Sequence, residues 1–172
     1  LVGAAYPDRF SAIALHSGLV HSAADNVESA LGVMQRGVPS AEPYAEAAFA
    51  AMGEHARVIP TLVIHGGADT LVAPINGAQS AKQWFLTNAL AIGQPLDTTS
   101  GATDQTVRNV NGYEVRDSTY RARNGTPLSH LVMVRELGHA WSGGDASGSH
   151  GDPRGPSATA LVADFFFQRS QR

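Results

Sequence analysis

The chain has 172 residues, 43% of them hydrophobic and 16% charged, enough apolar mass for the core of one globular domain or a large part of one. Its net charge is −3 and the few Lys and Arg are dispersed, which leaves no basic stripe for nucleic acid or an anionic membrane. The lack of cysteine excludes disulfides and thiolate metal sites without fixing a compartment, and no uninterrupted apolar run reaches the length that spans a bilayer.

The first residues, Leu1 to Ala5, are small and apolar and run into Tyr6-Pro7-Asp8 with no N-cap, no initiator Met and no charged n-region of a signal peptide. They read as a helix entered part-way, so residues are expected before Leu1. Ser11 to His16 is a short apolar run ending in Ser17-Gly18, the pattern of a strand buried on both faces of a parallel sheet. Asn26 to Arg36 and Ala41 to Ala56 have helical spacing and are separated by Gly37-Val38-Pro39-Ser40, which predicts two helices; the second is read as a lid or cap over a site in preference to a partner-binding helix. Thr61 to His65 follows Pro60 and ends in Gly66-Gly67, a second buried strand.

Pro74 to Ala91 suits an amphipathic helix packed on the sheet. Residues 94 to 111 are polar and weakly patterned. Alternation from Tyr113 to Tyr120, the turn dipeptide Asn124-Gly125 and the apolar run Leu128 to Val134 predict a hairpin, with Ser129 to Arg135 as the third core strand. Leu137 to Gly155, dense in Gly, Ser, Asp and His, reads as an irregular functional loop. A last helix follows from Pro156 to about Phe167, with Leu161, Val162, Phe165 and Phe166 on one apolar face. Strands alternating with helices predict an α/β fold built on a mostly parallel sheet flanked by helices.

Reactive groups in such sheets gather at the carboxyl ends of the strands. Here Thr61 to His65 is followed by Gly66, Gly67, Ala68 and Asp69, and Ser129 to Arg135 by Gly138-His139-Ala140-Trp141. A carboxylate and an imidazole on adjacent strand-end loops meet the needs of a serine triad, in which the acid fixes the histidine tautomer and stabilises the imidazolium. The order acid then histidine is also the order of the α/β-hydrolase fold, where serine comes first.

Three stretches, Ala4 to Gly18, Pro60 to Gly77 and Glu136 to Gly144, together with Asp152-Pro153-Arg154-Gly155-Pro156, resemble the polyhydroxybutyrate depolymerase family of esterases, which includes feruloyl and acetylxylan esterases. Gly138-His139-Ala140-Trp141-Ser142-Gly143-Gly144 is the most specific of these elements. The resemblance implies that residues 1 to 172 are the C-terminal part of a single α/β-hydrolase catalytic domain, with Asp69 as triad acid and His139 as triad base. It also implies a nucleophile elbow and an oxyanion segment upstream of Leu1, an ester substrate, no cofactor and a secreted or extracellular protein. The N-terminal half of the fold is then expected covalently or as a partner. Ser17 is the one serine at a strand end beside a glycine, but its setting, His16-Ser17-Gly18, is not the G-x-S-x-G of an elbow.

Blander readings stand beside these. Asp69 could cap the turn before the Pro74 helix, and His139 could be a loop histidine bonded to backbone. His16 and His65 either line the substrate pocket or are buried rings with satisfied nitrogens, and Trp141 either walls the pocket or simply packs. His139, Asp145, His150 and Asp152 lie close in sequence, yet their spacing matches no metal motif. The rival function is a non-catalytic, hydrolase-like binding domain, or one half of a two-chain assembly.

Overall fold

The computed structural model describes residues 2–95 and 101–170, and only the backbone of residues 169 and 170. The chain begins with a helical turn, α1 (Val2–Ala5), followed by strand β1 (Ile13–His16), helices α2 (Val27–Arg36) and α3 (Glu42–Met52), strand β2 (Thr61–Gly66) and helix α4 (Ile75–Ala91). Then come β3 (Asp104–Val110), β4 (Tyr113–Arg121), β5 (Pro127–Val134), the two-residue strands β6 (Trp141–Ser142) and β7 (Gly151–Asp152), and helix α5 (Ala158–Ser170). No helix among the described residues is long and apolar enough to cross a membrane.

The sheet order is β1-β2-β5-β4-β3. The strands β1, β2 and β5 run parallel, whereas β4 and β3 join antiparallel, so the sheet is mixed and its parallel part carries the core. Side-chain alternation along β2 sends Leu62 and Ile64 to one face, where they pack with Val132, Val134, Leu137 and Phe165, and Val63 to the other, where it meets Phe85, Leu86 and Leu131. Helix α5 covers the first face and α4 the second. Each large aliphatic side chain buried this way contributes about 1.5–3 kcal/mol before entropy is subtracted.

Helix α4 is not merely amphipathic. Residues from Asn76 to Ala89 are buried nearly all round, because α3 packs on the side that turns away from the sheet. Among their polar groups, Asn88 accepts from the Ile59 N–H and donates to the Ile59 and Leu128 carbonyls, whereas Asn76 Oδ1 and Ser80 Oγ are buried without a hydrogen-bond partner. The expected lid is corrected by the same packing. Ala48 and Met52 of α3 lie against Ala4, Ile59 and Trp84, so α3 is a structural layer beside α4 and α1. Helix α2 begins with a reciprocal capping box, in which Asn26 accepts from the Ser29 N–H and Ser29 from the Asn26 N–H.

Three further expectations change. The polar stretch over residues 94 to 111 lies partly outside the described residues, but its second half forms β3, paired to β4 through a turn at Asn111 (φ 52°) and Gly112 (φ 88°). Positive φ at both central residues is the type I′ requirement that Asn-Gly satisfies. Phe166 is 39% exposed and does not share the buried face of Phe165. Finally, the loop after Leu137 contains a short parallel ladder between β6 and β7.

Candidate active site

Parallel pairing of β2 with β5 places Gly66 opposite Val134, so both strands end at the same level and their loops leave side by side. The loops are fastened directly: the Gly67 N–H donates to the Val134 carbonyl at 2.7 Å and the Ala68 N–H to that of Leu137 at 3.0 Å. Glycine permits the approach. A β-carbon on Gly67 would stand 2.7 Å from the Arg135 carbonyl oxygen, and one on Gly66 would overlap that of Leu137.

This junction delivers Asp69 and His139 to one another. Asp69 is 3% exposed, and its Oδ2 lies 2.9 Å from His139 Nδ1 across 70 residues of chain. Its Oδ1 accepts from the N–H groups of Leu71 at 3.0 Å and Val72 at 2.8 Å. Burial alone would raise the carboxyl pKa, but the bonds from Val72, His139 and Leu71 outweigh it and hold the group below its ordinary value. An ionised Asp69 requires the proton of neutral His139 to sit on Nδ1, which leaves a lone pair on Nε2.

His139, His16, Ser17, Ala140, Trp141 and His150 line an open cavity of about 290 Å³. A larger cleft of about 640 Å³ runs along α2 from Asn26 to Pro39 but contains no histidine, whereas the smaller one is lined by the His139 that Asp69 holds. His16 stacks on Trp141 with centroids 4.8 Å apart, and its Nε2 accepts from the Ser142 N–H at 3.4 Å. Its Nδ1–H then donates to Ser17 Oγ at 3.1 Å. Burial, helped by the neighbouring His65 and His139 and opposed by Asp69, lowers the pKa of His16 to about 4, so the ring is neutral near pH 7. Trp141 is anchored by its Nε1–H, which donates to Thr159 Oγ1 at 3.1 Å.

His65 does not join the cavity, which corrects the expectation that it lines the pocket. Cross-strand pairing puts His16 level with Ile64, and alternation turns His65 to the opposite face, against Gly77 of α4, with no exposed surface. Its ring is only half satisfied: Nε2–H donates to the Val72 carbonyl at 3.0 Å, while Nδ1 is buried without a partner.

His150 was not expected at the cavity. The β6–β7 ladder, with the Trp141 N–H donating to the His150 carbonyl at 2.7 Å, folds it back so that its ring meets His139 edge-on at 5.9 Å. Only its place in the same Gly-rich loop hinted at this. Asp152 is engaged by Tyr113 Oη at 2.6 Å and by Arg154, and Asp145 accepts from the Ser147 N–H. Among the described residues no three His, Cys, Asp or Glu side chains are grouped to hold a metal ion.

The fold is thus an α/β architecture that presents a buried carboxylate and an imidazole together at parallel strand ends. Residues 1–109 match the family model described as esterase PHB depolymerase, and the chain belongs to that esterase family. The matched span includes Asp69, whereas His139 lies beyond it. No curated protein matches the chain.

Proposed function

We propose that this chain is part of an α/β-hydrolase that cleaves carboxylic esters through a serine–histidine–aspartate triad. His139 transfers the proton, Asp69 orients it, and the serine comes from a segment outside residues 1–172. The observation that carries this reading is the 2.9 Å contact of His139 Nδ1 with Asp69 Oδ2, made by a carboxylate whose other oxygen is held by two backbone amides. Nothing in the packing of the core requires that pair.

In this reading His139 Nε2 removes the hydroxyl proton as the serine oxygen attacks the ester carbonyl carbon. The same nitrogen then protonates the departing alcohol. Water repeats the cycle on the acyl-enzyme, releasing the acid and restoring the serine, while Asp69 stabilises each imidazolium. Ser17 lines the cavity, but its Oγ accepts from His16 and it lacks the elbow setting that exposes a nucleophile. Strand β1 ends the sheet order and has no outer partner among the described residues, which is where a strand carrying an elbow would add.

Family membership favours hydroxyalkanoate esters or polyesters, or acyl groups on plant polysaccharide, as substrates of an extracellular enzyme. The test is to treat the complete folded protein with a fluorophosphonate and map the labelled peptide by mass spectrometry. A labelled serine in a G-x-S-x-G peptide from outside these residues is the expected result. Absence of any label would transfer the chain to the non-catalytic binding-domain reading.

A further inference from the structure

His65 does not line the cavity, yet it belongs to the frame around Asp69. Its Nε2–H donates to the carbonyl of Val72 at 3.0 Å, and the N–H of the same Val72 donates to Asp69 Oδ1 at 2.8 Å. Val72 is therefore held through both its backbone N–H and its backbone C=O. The same Nε2 stands 3.7 Å from Asp69 Oδ2, the oxygen that faces His139. A donor N–H at that distance adds favourable potential for an ionised carboxylate.

The opposite side of the ring shows how little folding asks for a histidine here. Nδ1 is buried with no hydrogen-bond partner, and Gly77 leaves a slot so narrow that a β-carbon there would stand 2.8 Å from that nitrogen. An unsatisfied buried acceptor is costly, and an apolar side chain of the same size would avoid it. The site bears that cost for a single directed bond to the turn that carries the acid.

We propose that His65 is a positioning residue: as the neutral Nε2–H tautomer it fixes the Asp69–Val72 turn and so holds the carboxylate in line with His139. This rests on the triad reading above. Burial, the largest influence on the ring, holds the His65 pKa below its ordinary value against the opposing pull of the Val72 carbonyl and Asp69, and His139 acts with burial.

The test pairs two substitutions in the complete protein. In His65→Gln the amide nitrogen reaches the former Nε2 position and can still donate to the Val72 carbonyl. In His65→Asn the shorter side chain stops at the level of Nδ1. The Gln variant is expected to keep kcat within a few-fold, and the Asn variant to lose about 100-fold in kcat with KM unchanged, as for a small misplacement of an acting group. The far-downfield proton resonance of the Asp69–His139 hydrogen bond should persist in the first and vanish in the second. Equal activity of the two variants, or a loss confined to KM, overturns the proposal. In the unmodified protein a long-range 1H–15N correlation should show His65 as the neutral Nε2–H tautomer at pH 7; an Nδ1–H tautomer or an imidazolium overturns it whether or not the variants fold. His139→Ala separates the two ideas. If it retains full activity the triad reading fails, whereas its loss together with an unaffected His65→Asn removes only the positioning role.

Discussion

Gly66, the last residue of β2, lies so close to Leu137, three residues beyond the end of β5, that a β-carbon on the glycine would overlap the Leu137 carbonyl oxygen. The contact is the seam that fixes the acid loop against the histidine loop. Gly66→Ala is therefore expected to push the loops apart, costing about 2 kcal/mol of stability as backbone moves to admit the methyl group, with a fall in esterase kcat. Gly138 sits beside His139 itself but has open space at its β-position and no positive φ, so Gly138→Ala should leave stability within about 0.5 kcal/mol. Chemical denaturation of the two variants checks the contrast. Equal loss in both would mean that the seam is not what limits the glycine.

Asp69→Asn preserves volume but removes the charge and lets the side chain present an amide to His139. The ring could then bond through the wrong tautomer. In serine triads such a change lowers kcat by about 10⁴-fold while substrate binding survives, and the same outcome is expected here with a simple p-nitrophenyl ester. A rate near that of the parent would leave Asp69 as no more than a turn cap, accepting from the Leu71 and Val72 amides.

Much of this arrangement is legible in the sequence. The strands β1 and β2 announce themselves as apolar runs closed by glycine, and β5 as an apolar run after the turn dipeptide Asn124-Gly125; their place among the helices implies that Asp69 and His139 emerge at one edge. Less legible is what depends on long-range neighbours. β3 is exposed on almost every residue, so no hydrophobic period marks it. The direction of His65 follows from alternation, but its burial depends on Gly77 in another element. The arrival of His150 at the cavity depends on a two-residue ladder for which the sequence has no pattern.

Acid should weaken the fold through His16 before it reaches the carboxylates. The folded-state pKa of His16 is lowered to about 4 from the ordinary 6.5, so the unfolded chain binds a proton that the native ring refuses. The contribution of His16 is therefore intact above pH 6.5 and falls with pH through the interval down to 4. The slope is about 1.4 kcal/mol per pH unit, or about 2 kcal/mol between pH 7 and pH 5. His65, His139 and Asp69 are the titratable groups that act on it. Asp69 behaves oppositely to an ordinary buried acid: its depressed pKa stabilises the fold above about 3.8, and that share is lost only as pH falls further. Urea midpoints at pH 7 and pH 5 should show the loss, and His16→Gln should reduce it. Identical pH slopes in the parent and the variant would assign the effect to other histidines.

The helical layer offers a test that is independent of chemistry. Asn88 is fully buried in α4, and its single amide joins three elements: it accepts from the Ile59 N–H at 2.8 Å and donates to the carbonyls of Ile59 at 2.8 Å and Leu128 at 3.0 Å. Ile59 introduces β2, and Leu128 lies near the start of β5, so this side chain ties the entry of both site-bearing strands to the helix behind them. Asn88→Ala removes the side-chain partner of the Ile59 N–H and of the Leu128 carbonyl, at a cost of about 1–3 kcal/mol each, whereas the Ile59 carbonyl still accepts from Thr61 Oγ1 at 2.9 Å; the sum is a large share of the stability of an ordinary domain. Asn88→Asp is expected to be comparably harmful, because it keeps the acceptor for the Ile59 N–H but sets a second, buried oxygen against the Ile59 and Leu128 carbonyls, which it repels. A thermal-melt series of parent, Ala and Asp variants measures this. If Asp proved as stable as Asn, the donor side of the amide would contribute nothing, and it would not be the tie between α4 and the strands.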